Sequence, residues 1–253
     1  NNCRHPLRLF DMNIVKNIPN AVTYMNLLCG LMGVICTFGG DFRAAFIFMM
    51  AAAVCDFCDG LTARLLKAHS ELGKELDSLA DMVSFGVLPS LMTYKLMTAV
   101  SGNSLLAFTP LLIGVFSALR LAKFNIDERQ SDNFIGLATP ACAMICGSFA
   151  YYVTNDTSSV LHGWASSKFF IPAASVVLSL LLVSEIPMFS MKFKKKAKPG
   201  TPIHRQRVSF LGVVFVSTIM TVLLGLNWSF IVLLSFVAYI IMNIGIALLF
   251  RQK

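Results

Sequence analysis

Apolar runs of about 18 residues or more recur along the chain, parted by short polar segments, and each is long enough to cross a hydrocarbon core. Inside a bilayer every backbone N–H and C=O must be satisfied within the protein, and runs this long and continuous do so as helices. Hydrophobic residues make up 56% of the 253 and charged residues 13%, about half the charged share near 25% of soluble proteins. The expected fold is therefore all-α, a polytopic integral membrane helical bundle of about eight transmembrane helices. The runs fall at about 20–38, 43–63, 76–99, 104–122, 136–154, 168–190, 208–226 and 229–249. The third is the most polar, because Asp77, Asp81 and Lys95 lie in it. No polar linker separates two folded units. The division expected is an N-terminal cytoplasmic or interfacial segment (1–17), a catalytic core (18–191), a basic cytoplasmic loop (192–207) and a C-terminal pair of spans (208–253).

Charge placement orients the bundle. With eight spans and a cytoplasmic N-terminus, the inner segments carry 18 of the 21 Lys and Arg residues, leaving Arg43, Lys95 and Lys168 outside. That bias follows the positive-inside rule, so both termini are expected on the cytoplasmic side of a cell inner membrane. The net charge of +8 then addresses anionic lipid, above all through Lys192 to Lys198, and no nucleic-acid partner is expected. The stretch from Arg4 to Lys16 mixes apolar residues with charges and suits a helix lying in the interface. The first run lacks a small-residue cleavage pattern and is expected to be a true span rather than a signal peptide. Cys29, Cys36, Cys55, Cys58, Cys142 and Cys146 sit in apolar spans and act as small hydrophobes. The Cys55-Asp-Phe-Cys58 spacing alone, with no second pair or histidine pattern, does not complete a zinc site.

Four aspartates break the apolar pattern: Asp56-Phe-Cys-Asp59-Gly60-Leu-Thr-Ala63-Arg64, eight residues, then Gly73, Asp77 and Asp81 at four-residue steps. On helices Asp56 and Asp59 share one face, and so do Asp77 and Asp81. Carboxylates this close cannot all stay ionised among apolar residues without cations between them. Their oxygens suit Mg²⁺ or Mn²⁺. Gly60 leaves room for a ligand against the helix backbone, and Arg64 is placed to reach a phosphate. This is the layout of a diphosphate site in which two divalent ions clamp the leaving oxygen. A transporter would place its acids nearer the midplane; these lie at one end, beside Arg64, Lys67 and Lys74.

The spacing Asp56-xx-Asp59-Gly60-xx-Ala63-Arg64-x8-Gly73-xxx-Asp77-xxx-Asp81 resembles, at every defined position, the signature of the CDP-alcohol phosphotransferases. The resemblance implies a membrane enzyme that moves a phosphatidyl group from a CDP-linked lipid to an alcohol and releases CMP. Asp56, Asp59, Asp77 and Asp81 would hold two divalent ions, with Asp81 also the general base. Pro19, Asn20, Gly60, Ala63, Arg64, Ser70 and Gly73 would line the site of the CDP-lipid. A homodimer is also implied.

Flanking segments are similar to the serine-using, type II phosphatidylserine synthase branch of that family. They are Asp77 to Pro89, Ala118-Leu-Arg120-Leu-Ala-Lys123-Phe-Asn125, Phe134-Ile-Gly136-Leu-Ala138-Thr-Pro140 and Val183-Ser-Glu-Ile-Pro187. Lys123 stands where that pattern has Arg, and Ala138 where it has Pro, which leaves the start of the fifth span open. The implied substrates are CDP-diacylglycerol and L-serine, with Arg120, Lys123 and Asn125 as candidates for serine. Two alternatives stay open: the same chemistry with glycerol 3-phosphate or an inositol phosphate as acceptor, and a cation transporter using the same acids.

Overall fold

The computed structural model describes residues 14–66, 70–102, 104–126, 134–188 and 202–251. Helix α1 (Ile14–Gly39) ends on Gly39-Gly40, where Gly40 takes φ +82°. Asp41 then caps α2 (Phe42–Leu65) by accepting from the Ala44 N–H at 2.9 Å. Ser70 does the same for α3 (Glu71–Asp81), accepting from the Gly73 N–H at 2.9 Å. A short side-chain acceptor at this position satisfies a backbone donor that the first helical turn leaves free.

From α3 the chain runs on without a break through a π-helical segment, Met82–Val87, into α4 (Leu88–Ser101). Then follow α5 (Leu111–Ile126), α6 (Thr139–Asn155), the short α7 (Val160–Ala165), α8 (Phe170–Val183), α9 (Pro202–Leu223) and α10 (Ser229–Arg251). Helix α6 is the axis of the bundle. It packs on α2, α4 and α10 and is buried along nearly its whole length, from Thr139 to Val153. Its Gly147 faces the Phe46 ring and Met49 of α2, with a Cβ there meeting Phe46 at 2.8 Å. Close helix approach at a small residue is the usual membrane solution, since apolar burial gives no drive between helices in lipid.

Among the described residues five helices are long and apolar enough to cross a membrane: Asn17–Gly39, Phe42–Leu65, Glu71–Ser101, Leu105–Ile126 and Ser229–Ala247. They coincide with the first four and the last of the expected runs. The other three expected spans fall on α6, with 17 residues, on α8, with 14, and on the apolar part of α9, Val208–Leu223. The protein is an all-α integral membrane bundle; among its described residues five helices meet the length and hydropathy of a full span, and the expected eight spans match these five together with the three shorter apolar helices.

Three boundaries differ from expectation. Helix α1 begins at Ile14, so Pro19 lies inside it rather than opening it. Helix α6 begins at Thr139, not 136, after Ala138 at φ −64° and ψ 135°. That φ is the value a proline ring enforces, so Ala138 takes here the backbone shape a proline would fix. The last residues of the expected basic loop, from Pro202, already belong to α9. The interfacial stretch before Ile14 and the Lys192–Lys198 cluster lie outside the described residues. The six span cysteines are all free thiols.

The segments on either side of α6 and α8 are clasped together. Phe134–Ile135 (β1) pairs antiparallel with Pro187–Met188 (β2), and the Gly136 and Leu137 N–H groups donate to Ile186 and Leu181. Gly136 has φ +76°, and a Cβ there would meet the Ser184 carbonyl at 2.7 Å and that of Leu182 at 2.8 Å. We expect Gly136→Ala to cost at least about 1–2 kcal/mol from the left-handed backbone alone, read as a lower midpoint in thermal unfolding of the purified protein.

Candidate active site

The first four helical elements build the site at one end of the bundle. Helix α1 packs along α2 and also against α3, the π segment and α4, so both halves of the aspartate motif lean on one helix. The contact is close because α1 is small where the π segment crosses it. A Cβ on Gly30 would collide with the Ser84 hydroxyl, and that hydroxyl donates to the Asn26 carbonyl at 3.0 Å.

Asp56 and Asp59 lie at i, i+3 near the end of α2, and Asp77 enters from α3. One carboxylate oxygen from each lies within 4.8 Å of the others, with Asp59 buried and Asp56 and Asp77 half-buried. Oxygens coordinating one Mg²⁺-sized ion at about 2.0–2.1 Å sit roughly 3 Å apart when adjacent and about 4.2 Å when opposite, so the three carboxylates are near enough to converge on one such ion when their side chains turn inward. The donors are all carboxylate oxygen, which suits a hard divalent cation. Asp81, one turn beyond Asp77, stands outside the triad but within electrostatic reach of all three of its members. Its Oδ1 accepts from the Asn26 amide at 3.1 Å.

A cleft of about 240 Å³ opens beside the triad. All seven residues expected to meet the CDP-lipid line it: Pro19 and Asn20 from α1, Gly60, Ala63 and Arg64 from α2, Ser70 and Gly73 at the start of α3. Asp59 and Asp77 form its floor. The two glycines serve differently. A Cβ on Gly60 would meet only Arg64, at 3.6 Å, so the space over it is free for a ligand, whereas one on Gly73 would press on Ser70 and Asn20 at 2.9 and 3.0 Å. Gly73 thus lets α3 approach α1. Arg64 folds back on its own helix, its Nε donating to the Gly60 carbonyl at 2.9 Å, with its exposed guanidinium at the rim.

The three acceptor candidates part company. Arg120 of α5 is buried, 7% exposed, and lies within electrostatic reach of Asp81. Its Nη1 donates to the Thr139 hydroxyl at 2.9 Å, and its guanidinium sits 5.8 Å over the Phe124 ring. Asn125 is held to α3 instead: its amide donates to Ser78 at 2.9 Å and its carbonyl accepts from Lys74 at 3.0 Å. Lys123 is exposed.

Two residues of the site escaped the sequence reading, and a third, Lys74, was placed only beside the acids. Thr23, 3% exposed, donates to Asp59 Oδ2 at 2.8 Å. Asn26, fully buried, holds Asp81, and Lys74 joins the lining of the cleft. A signal existed for the first two. Pro19, Thr23, Asn26, Gly30 and Gly33 recur at helical spacing through an apolar run and form one buried stripe of α1. A polar and small stripe in a membrane span marks the face turned to protein.

This arrangement, carboxylates clustered closely enough to hold a metal ion beside a cleft with a basic rim in a membrane bundle, is that of a membrane transferase handling a charged, phosphate-bearing lipid. The chain belongs to the CDP-alcohol phosphatidyltransferase family, whose model matches residues 16–181. It is 33% identical over 234 residues to a CDP-diacylglycerol–serine O-phosphatidyltransferase of Helicobacter pylori (strain J99), covering 88% of this chain and 89% of that one. It is 38% identical over 138 residues to the Bacillus subtilis (strain 168) protein of the same name, covering 53% and 76%. An archaetidylserine synthase of Methanothermobacter thermautotrophicus is 32% identical over 164 residues, covering 64% and 66%.

Proposed function

We propose that this protein transfers the phosphatidyl group of CDP-diacylglycerol to L-serine, giving phosphatidylserine and CMP. The observation that carries this reading is that two of the three clustered aspartates, Asp59 and Asp77, share one cleft with the CDP-lipid residues, in a chain with relatives named for this reaction. Asp56, Asp59 and Asp77 would hold a divalent ion, with Asp81 beside them for a second. Such ions, when bound, supply charge neutralisation at the diphosphate and at the leaving oxygen.

The protein's own groups do the rest. Gly60 gives the nucleotide diphosphate room against α2, and Arg64 meets its charge at the rim. Asn26 occupies Asp81 Oδ1 and so leaves Oδ2 to take the proton of the serine hydroxyl. That oxygen attacks the lipid-linked phosphorus; the serine O–P bond forms, the P–O bond to CMP breaks, and no enzyme-bound intermediate is needed. Arg120 would hold the serine carboxylate. It is the buried cation near Asp81, and a guanidinium meets a carboxylate with two parallel bonds. The cleft faces the cytoplasm in this reading, where CDP and serine are both soluble, and the bundle works as a homodimer.

The test is CMP release from CDP-diacylglycerol by the purified protein with one acceptor at a time. Release with serine is expected; release with glycerol 3-phosphate or an inositol phosphate but not serine would overturn the acceptor. Ion flux without any CMP release would point to the transporter reading. Arg120→Lys keeps the charge but loses the planar fork. It is expected to raise the serine KM about tenfold or more, the scale of one lost charge-assisted bond, with CDP-diacylglycerol affinity unchanged.

A further inference from the structure

A second cavity, of about 390 Å³, lies between α4, α5, α6, α7, α8 and α10 and shares no lining residue with the cleft over the aspartates. Its walls are carbon almost throughout: Ile113, Phe149, Ile171, Leu178, Leu233 and Ile240 are representative. The two hydroxyls in the lining are turned away from it. Thr93 donates to the Pro89 carbonyl and Ser175 to that of Ile171, both at 2.8 Å. The cavity therefore offers a ligand no hydrogen bond, which excludes nucleotide, serine or a lipid headgroup from its interior and leaves it dry.

Its mouth opens on the side of the bundle. Val177 and Ile241, at 55% and 65% exposed, flank it within helices that belong in hydrocarbon. At the far rim Trp164 stands 54% exposed, packed on Phe170 at 5.8 Å between ring centroids, in the place of an interfacial aromatic anchor. Lys168, exposed, lies in the turn between these two residues and is one of only three basic residues expected on that side.

Size selects the occupant. Taking a methylene at about the volume of a water molecule, roughly 30 Å³, the cavity holds on the order of a dozen methylenes. A helix from a second copy, about 10 Å wide, would place little more than two or three residues in that space. We propose that this cavity holds one acyl chain of a bilayer phospholipid with an anionic headgroup, the chain lying between α8 and α10 and the phosphate meeting Lys168. The site is separate from the cleft over the aspartates.

The two tryptophans of the chain make this measurable. In a Trp228→Phe background Trp164 is the sole indole, and a phospholipid with brominated acyl chains quenches it on contact. The detergent-purified protein is titrated with brominated phosphatidylglycerol or phosphatidylcholine. The expected result is saturable quenching at one lipid per chain, at several-fold lower concentration for phosphatidylglycerol. Ala174→Phe, which fills the cavity from α8, should remove the saturable part. Lys168→Glu, on the exposed rim and so without risk to folding, should erase the preference for the anionic lipid. Linear quenching of the unfilled protein, or saturable quenching unmoved by either variant, would overturn the proposal. A change in oligomeric state on filling, with quenching intact, would assign the face to a second copy instead. Equal affinity for both lipids would overturn the anionic headgroup.

Discussion

Asp81→Asn is expected to bind CDP-diacylglycerol nearly as well as the unaltered protein and to release CMP at least about 10²–10⁴-fold more slowly, the usual scale for loss of a general base. Asparagine keeps an oxygen at the same place but cannot accept the serine proton near neutral pH. The structure sharpens this expectation, because Asp81 stands apart from the triad that closes on one ion. Its substitution should therefore disturb that ion less than substitution of a triad member. The measurement is CMP release beside CDP-diacylglycerol affinity at saturating Mg²⁺ or Mn²⁺. Turnover within a few-fold of the unaltered protein would reject Asp81 as the base, and an equal collapse of affinity and turnover would leave it a metal ligand alone.

Removing the metal should be as severe. Exhaustive chelation is expected to abolish CMP release, and added Mg²⁺ or Mn²⁺ to restore it. Asp77→Asn and Asp56→Asn should stay inactive even at high metal, since each deletes one of three charges that converge within 4.8 Å. Direct Mn²⁺ binding, followed by its paramagnetic resonance signal, gives a reading independent of turnover. The signal of bound Mn²⁺ should weaken strongly in both variants while the protein still elutes as a folded species. Undiminished turnover after chelation would sink the metal site, and failure of both variants to insert would make the acids assembly elements.

The site was more legible in the sequence than the fold around it. Fixed gaps between Asp56, Asp59, Gly60, Arg64, Gly73 and Asp77 work because helical geometry turns spacing into direction: all but Asp56 line one cleft, and Asp56 meets Asp59 and Asp77 beside it. Thr23 and Asn26 were harder to see because nothing in their local sequence names a partner. Their roles depend on which helix lies beside α1, a tertiary fact, although the buried stripe they belong to was visible. Span lengths were overestimated for α6 and α8. Hydropathy does not distinguish an apolar helix from the apolar turn that ends it, as around Gly136 and Ser184. The Phe134–Pro140 and Val183–Pro187 segments were noted separately as resembling family motifs. That they bind one another across β1 and β2 could not be read from either alone.

The π-helical segment from Met82 to Val87 separates two properties that usually travel together. Each residue of an α-helix advances the side chains by about 100°, and a π turn carries one residue more per turn than that regular winding. Were all six residues of the segment wound as an ordinary α-helix instead, the composition of the span would be the same. Its length would change by little more than the rise of one residue, about 1.5 Å, and its hydropathy not at all, so the bilayer would accept it as before. Asp77 and Asp81, however, would swing by roughly a quarter-turn relative to the buried face of α4, away from Asp56, Asp59 and Asn26. In this helix, phase rather than length or polarity decides whether a well-inserted protein has an active site.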